Sequence, residues 1–319
     1  MSTEPLLTGV SADTAKGKPF SGLKHLFILL PIVITLAFAL PLRDLLVYGL
    51  DNDLYSHCWL VPFISVYLIW LERDRIDTNP SSKTKALAII PALASIAALI
   101  AYQNFGGDWT NSLYENALCC LALAYVMSLY AGAFLTLSAA TLKSLAFPLL
   151  LGLFTVPFPV PLKEGIQTFL QYASAETAYW MLKIAGNTIY REGLVFHLPS
   201  ISMEVAPQCS GIRSSLVLLI VSLIAAHLFL ISAWKKIALI LFVIPLAIGR
   251  NSLRIFTLGE LCERIGPDMI HSWIHHKGGP IFFAISLVPF VAFLFYLRNA
   301  ESKKLSISPI AEETAPNKT

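Results

Sequence analysis

The sequence predicts an all-α fold: a polytopic membrane helix bundle of about eight transmembrane helices, with a short external hairpin and amphipathic segment before span 6. Three observations predict it. Of the 319 residues, 56% are hydrophobic and only 13% are charged, against about 25% charged in an ordinary soluble domain. Mean hydropathy is +0.67. The apolar runs have the length of spanning helices, without the alternation of barrel strands. So much apolar surface cannot be hidden in soluble cores, because a globular surface needs polar cover. Composition therefore excludes a soluble enzyme, a disordered chain and a disulfide-stapled secreted module.

The expected spans are residues 25–43, 57–71, 86–103, 114–136, 141–161, 212–231, 236–258 and 279–297. The second is near the lower length limit for a crossing. The first 22 residues are polar, and the apolar run after them is too long for the core of a cleavable signal peptide. Residues 1–22 are expected to be a disordered cytoplasmic N-terminus, 23–298 one integral membrane domain, and 299–319 a disordered cytoplasmic tail. With the N-terminus inside, 14 of the 23 Lys and Arg fall on cytoplasmic segments, and loops 44–56 and 104–113 carry none. By the positive-inside rule both termini are cytoplasmic. The net charge of +3 is explained by these loop residues and gives no reason to expect a nucleic-acid partner.

The one long loop, residues 162–211, is then external. Its first half, Ile166 to Ile189, reads as an amphipathic helix lying on the membrane or capping the bundle. Its second half, 193–205, holds two β-prone runs around Pro199-Ser200 and predicts a short hairpin. No internal repeat is visible, so the mark of inverted-repeat transporters is missing.

Three features at outer span ends carry chemistry. Cys209, in Glu204-Val-Ala-Pro-Gln-Cys209-Ser-Gly-Ile-Arg213, sits at or just before the start of span 6. A helix N-terminus favours a thiolate there, and Arg213 adds to the same field. Alone, Cys209 reads equally as a small buried residue capping a membrane helix. Arg250 and Arg254 lie four residues apart in the outer half of span 7 and share a helical face. Charge so placed is functional or snorkels to the headgroups, and snorkelling explains Arg254 better than Arg250. His271, His275 and His276 precede span 8. Histidine exchanges protons near neutral pH, and the alternative is an exposed interfacial loop. The five cysteines have no CxxC pair and no framework spacing. Neither a metal nor another cofactor is expected, because arginine is not a ligand and the nearby acids are few. Cys, Arg and His converging on one face have the layout of a thiol acyl-transfer site.

The residues carry a family likeness. Ser56-His57-Cys-Trp-Leu60-Val-Pro, Glu204-Val-Ala-Pro-Gln-Cys209-Ser-Gly-Ile-Arg213-Ser, Asn251-Ser-Leu-Arg254-Ile and His275-His-Lys-Gly-Gly279 with Phe282-Phe283 together resemble the exosortase/archaeosortase family of polytopic membrane transpeptidases. The likeness covers roughly residues 25–297. It implies a catalytic Cys209, Arg254 and His275. The family often has Asp after the catalytic His, where this chain has His276, so His275 and His276 both stand for that role. It often has Gly after the Ser-His of span 2, where this chain has Cys58.

The resemblance further implies exported protein substrates ending in a short motif, often Pro-Glu-Pro-like, a transmembrane helix and a basic cluster. The enzyme cuts near the motif and passes the acyl group to an acceptor, lipid or polysaccharide linked. The expected location is the bacterial inner membrane, with a periplasmic active site. On this reading Cys209 attacks, Arg254 holds the oxyanion, and His275 moves protons. Glu204, Gln208, Arg213 and Asn251 support or bind substrate, Arg250 neutralises charge in the bundle, and His57 reaches the site or caps span 2. A transporter, or a non-catalytic assembly protein for exopolysaccharide or cell-surface export, is the alternative. A transporter predicts charge deep in several spans, whereas here it collects at one face.

Overall fold

A computed structural model describes residues 22–105, 112–273 and 278–313. It is a helix bundle carrying one small sheet. Helices α1 (Gly22–Ala37) and α2 (Ala39–Asp51) meet at a 68° bend at Phe38. Pro41 contributes to the break, since it has no N–H for the carbonyl of Ala37. Then come α3 (His57–Leu71), α4 (Ser82–Leu87), α5 (Ile89–Tyr102) and α6 (Ser112–Thr136). Ser81 caps α4, its hydroxyl accepting from the Thr84 N–H. The short α7 (Ala139–Ser144) and α8 (Ala146–Gly152) precede α9 (Val160–Ile184). Three long helices follow: α10 (Ile212–Phe229), α11 (Ala233–Arg264) and α12 (Gly279–Glu313).

Five of these segments are long and apolar enough to cross a membrane: Ser82–Tyr102, Leu113–Thr136, Ile212–Phe229, Ala233–Arg264 and Gly279–Glu301. The α1–α2 pair and the pair Ala146–Thr155 with Val160–Ile184 are bent spans, and His57–Leu71 is a shorter apolar helix. That makes five crossings, or seven with each bent pair as one, against about eight expected: the segments expected at 25–43 and 141–161 are bent, and the one at 57–71 is short. The chain turns by 91° before Val160, where Pro157 and Pro159 leave no N–H to carry a helix through. The final helix continues to Glu313, past the boundary at 298 expected from composition.

The amphipathic segment begins earlier than expected, at Val160, and α9 packs along α11. Its outward stripe holds Phe169, Tyr172, Trp180 and Ile184, all exposed. Apolar and aromatic side chains with one flanking lysine suit the headgroup zone. The expected hairpin is a three-stranded antiparallel meander: β1 (Tyr190–Glu192), β2 (Val195–His197) and β3 (Ser202–Glu204), in that order. Phe196 pairs with Arg191 on one side and Met203 on the other. The sheet buries Phe196, Leu198, Met203 and Val205 against Ala175, Ala178 and Leu182 of α9 and Ile255 of α11. At about 1.5 Å per residue, the 32 residues of α11 run to about 48 Å, well beyond a hydrocarbon core of about 30 Å. The excess is what α9 and the sheet surround. We call that assembly the cap.

Candidate active site

Three chain segments meet where the cap joins the bundle. Leaving β3, the chain makes a tight turn at Pro207–Cys209, in which the Cys209 N–H donates to the Ala206 carbonyl at 2.8 Å. Gly211 follows at φ +74° as N-cap of α10. A side chain is excluded there, because a Cβ would meet Arg250 Nη2 at 3.1 Å and Asn251 Oδ1 at 3.2 Å. That close approach locks the start of α10 onto α11. Cys209 therefore lies three residues before the first residue of α10, just ahead of the helix as expected.

Cys209 and Arg254 line one small cavity of about 50 Å³, together with Glu204, Asn251, Met203 and Ile255. Arg254 also lines a larger cavity of about 830 Å³ beside it, within the usual range of ligand clefts, about 300–1,000 Å³. Lys163, Arg213 and Arg254 line it, Lys163 paired with Glu115, and among the described residues no acidic side chain does. Pro207 and Gly211 line it from the Cys209 turn, and Gly279 and Pro280 from the head of α12. The arrangement offers a sulfur nucleophile, a guanidinium and a positive chamber able to hold an extended, electron-rich substrate.

The other candidates are placed as follows. Glu204 is exposed on β3 and lines the small cavity. Arg213 lines the large one. Arg250 is buried at 7% exposure. Its Nη2 donates to the Gly211 carbonyl at 3.0 Å and to Ser215 Oγ at 3.1 Å, so it pins α11 to α10 rather than entering a cavity. His57 is buried at the head of α3, with Nδ1 2.9 Å from the Leu54 carbonyl and Nε2 3.6 Å from Cys58 Sγ, and lines neither cavity. His275, His276 and the side chain of Gln208 lie outside the described residues. Among the described residues no three His, Cys, Asp or Glu side chains group as metal ligands.

Sequence reasoning missed the far wall of the large cavity. Asn52, Leu54, Lys163 and Gln167 line it. Glu115, at the head of α6, ion-pairs with Lys163 and accepts from Tyr48 Oη at 2.6 Å and Tyr55 Oη at 3.2 Å. Burial first, and then the Glu115 charge, hold the Tyr55 phenol protonated far above its ordinary range. The available signal was an acid at the head of the otherwise apolar α6 and a lysine at the head of the amphipathic α9.

Comparison with protein families decides the relationship. The family described as transmembrane exosortase matches residues 49–292, most of the chain. The chain belongs to the transmembrane exosortase family. Every segment of both cavities lies within the matched region of this exosortase. No curated protein and no solved structure matched the chain.

Proposed function

We propose that this membrane exosortase is a cysteine protease-transpeptidase that cleaves C-terminal sorting signals of exported proteins and transfers them to an acceptor. The observation that carries the reading is the cavity shared by Cys209 and Arg254. The substrate segment enters the large cavity in extended form. Cys209 gives its proton to the catalytic histidine, His275 or its neighbour His276, and the thiolate attacks the scissile carbonyl. The guanidinium of Arg254 stabilises the tetrahedral oxyanion. The imidazolium protonates the departing amine, leaving a thioester on Cys209. The same histidine then deprotonates the incoming nucleophile. Substrates are exported proteins ending in a motif, a transmembrane helix and a basic cluster. The acceptor is lipid or polysaccharide linked. The site faces the periplasm from the bacterial inner membrane, and both termini are cytoplasmic, as the distribution of Lys and Arg supports.

The test is processing of a co-expressed protein carrying such a tail. Cys209→Ala abolishes it, because no covalent chemistry remains. Arg254→Lys lowers the rate by about 10²-fold, because a point charge does not replace a planar fork. Substantial processing by Cys209→Ala ends the proposal. Mass spectrometry of the new C-terminus separates the two outcomes of the thioester: an adduct means transfer, a free carboxylate hydrolysis.

A further inference from the structure

We propose that Asn251 is a catalytic residue whose side-chain N–H, beside the guanidinium of Arg254, donates to the oxyanion formed when Cys209 attacks a carbonyl. The inference rests on the thiol acyl-transfer reading above and deepens it. Asn251 and Arg254 are three apart on α11, so both face the same way. Both line the small cavity with Cys209.

The size of that cavity is informative. At about 50 Å³ it has room for a few waters, one of which needs about 10–15 Å³ on the same measure. That is enough for a carbonyl group. The neighbouring cavity of about 830 Å³ takes the rest of a peptide. Arg254 stands in both walls. A carbonyl turned from the large cavity into the small one would therefore enter among Cys209, Arg254 and Asn251, with Glu204 at the same wall.

The state of Asn251 supplies the independent observation. It is only 3% exposed, yet among the described residues its Nδ2 has no hydrogen-bond partner. Gly211 comes close on the Oδ1 side, where an added Cβ would meet Oδ1 at 3.2 Å and Cγ at 3.3 Å. An unpaired buried N–H is costly and calls for an explanation. A donor held idle until charge develops is that explanation, and the favourable interaction then falls on the transition state. In the step itself the Cys209 sulfur forms the C–S bond and the carbonyl π pair moves onto oxygen, where the Asn251 and Arg254 N–H groups receive it. Collapse restores the C=O bond and breaks the C–N bond. The amine leaves with the proton held by the histidine.

The test compares two reactions of Cys209 in the purified full-length protein, read by mass spectrometry of the peptide that contains it. Acylation by p-nitrophenyl acetate passes through a tetrahedral oxyanion. Alkylation by iodoacetamide needs the thiolate alone. Asn251→Ala and the similarly shaped Asn251→Asp are expected to lower the ratio of acylation to alkylation at least tenfold. Using the ratio removes any change in thiolate content, and measurable alkylation with an unchanged melting temperature reports an intact fold. An unchanged ratio in both variants overturns the role of Asn251 and leaves Cys209 as nucleophile. A wild-type protein whose Cys209 is not acylated overturns the thiol reading, and this inference with it.

Discussion

The two halves of α11 have different neighbours. The half from Ala233 to Ala247 packs Leu239 and Val243 against Leu218 and Ala226 of α10 and Phe290 and Leu294 of α12. Around it the outward side chains are large and apolar, such as Leu241, Ile285 and Val288. The half from Arg250 to Arg264 packs Ile255 against the sheet and α9. Its outward contacts are polar: Arg264 pairs with Glu260, Asn187 donates to Glu260, and Ser200 Oγ donates to Glu263 at 2.6 Å. In lipid no hydrophobic force drives one helix onto another, so the lower half depends on van der Waals contact and close fit. The upper half, with its polar outer contacts, is held by burial of apolar surface against α9 and the sheet. The candidate active site sits at the change of regime. There α11 is enclosed enough to bury Arg250 and Asn251, and open enough for Arg254 to line a large cavity.

The comparison can be broken where it is strongest. Leu182 of α9 and Leu239 of α11 are both fully buried, one in each region. Leu182→Ala is expected to cost about 2–5 kcal/mol and to raise protease cleavage within residues 186–206 in moderate urea. Leu239→Ala should leave that cleavage unchanged, since its void opens inside the bundle. Equal increases in both variants would make cap and bundle a single cooperative unit.

A second change tests the seam between the regions. Gly211→Ala forces a left-handed backbone on a residue with a Cβ and pushes it toward Asn251 and Arg250. The expected cost is about 1–3 kcal/mol. Processing of a tailed substrate should fall by more than the loss in melting temperature accounts for. Processing that merely tracks stability would mean the seam does not position the site.

The smallest effect belongs to the lipid-facing half of the molecule. Ser95 Oγ of α5 lies 3.0 Å from the Ala124 carbonyl and 2.9 Å from Ser128 Oγ of α6. Ser95→Ala is expected to cost only about 0.6 kcal/mol, the ordinary worth of an interhelical hydrogen bond in a membrane, measured by unfolding in mixed micelles.

Much of this arrangement was legible in the sequence, and for different reasons. The spans were legible because hydropathy is a property of local composition. The bend before α9 was visible only as Pro157 and Pro159, which bar a helix without saying where the chain goes next. Strand β1, Tyr190–Glu192, was missed because two of its three residues are charged and give no β-prone run. The candidate site was legible through its motifs, which name residues and not contacts. The Glu115 cluster was not legible, since its partners Tyr48, Tyr55 and Lys163 stand 67, 60 and 48 residues away.

By itself the sequence determined a membrane helix bundle with its reactive residue types at the ends of spans, because hydropathy and helical spacing act over a few turns. Tertiary structure alone shows how differently Arg250 and Arg254 are surrounded. Four residues apart on a helix, they differ by about 40° in direction and about 6 Å in height, so no periodicity tells them apart. The approach of Gly211 and Ser215 seals Arg250 between α10 and α11, while Arg254, one turn nearer the cap, lines both cavities. The difference lies in what the rest of the chain brings to each position.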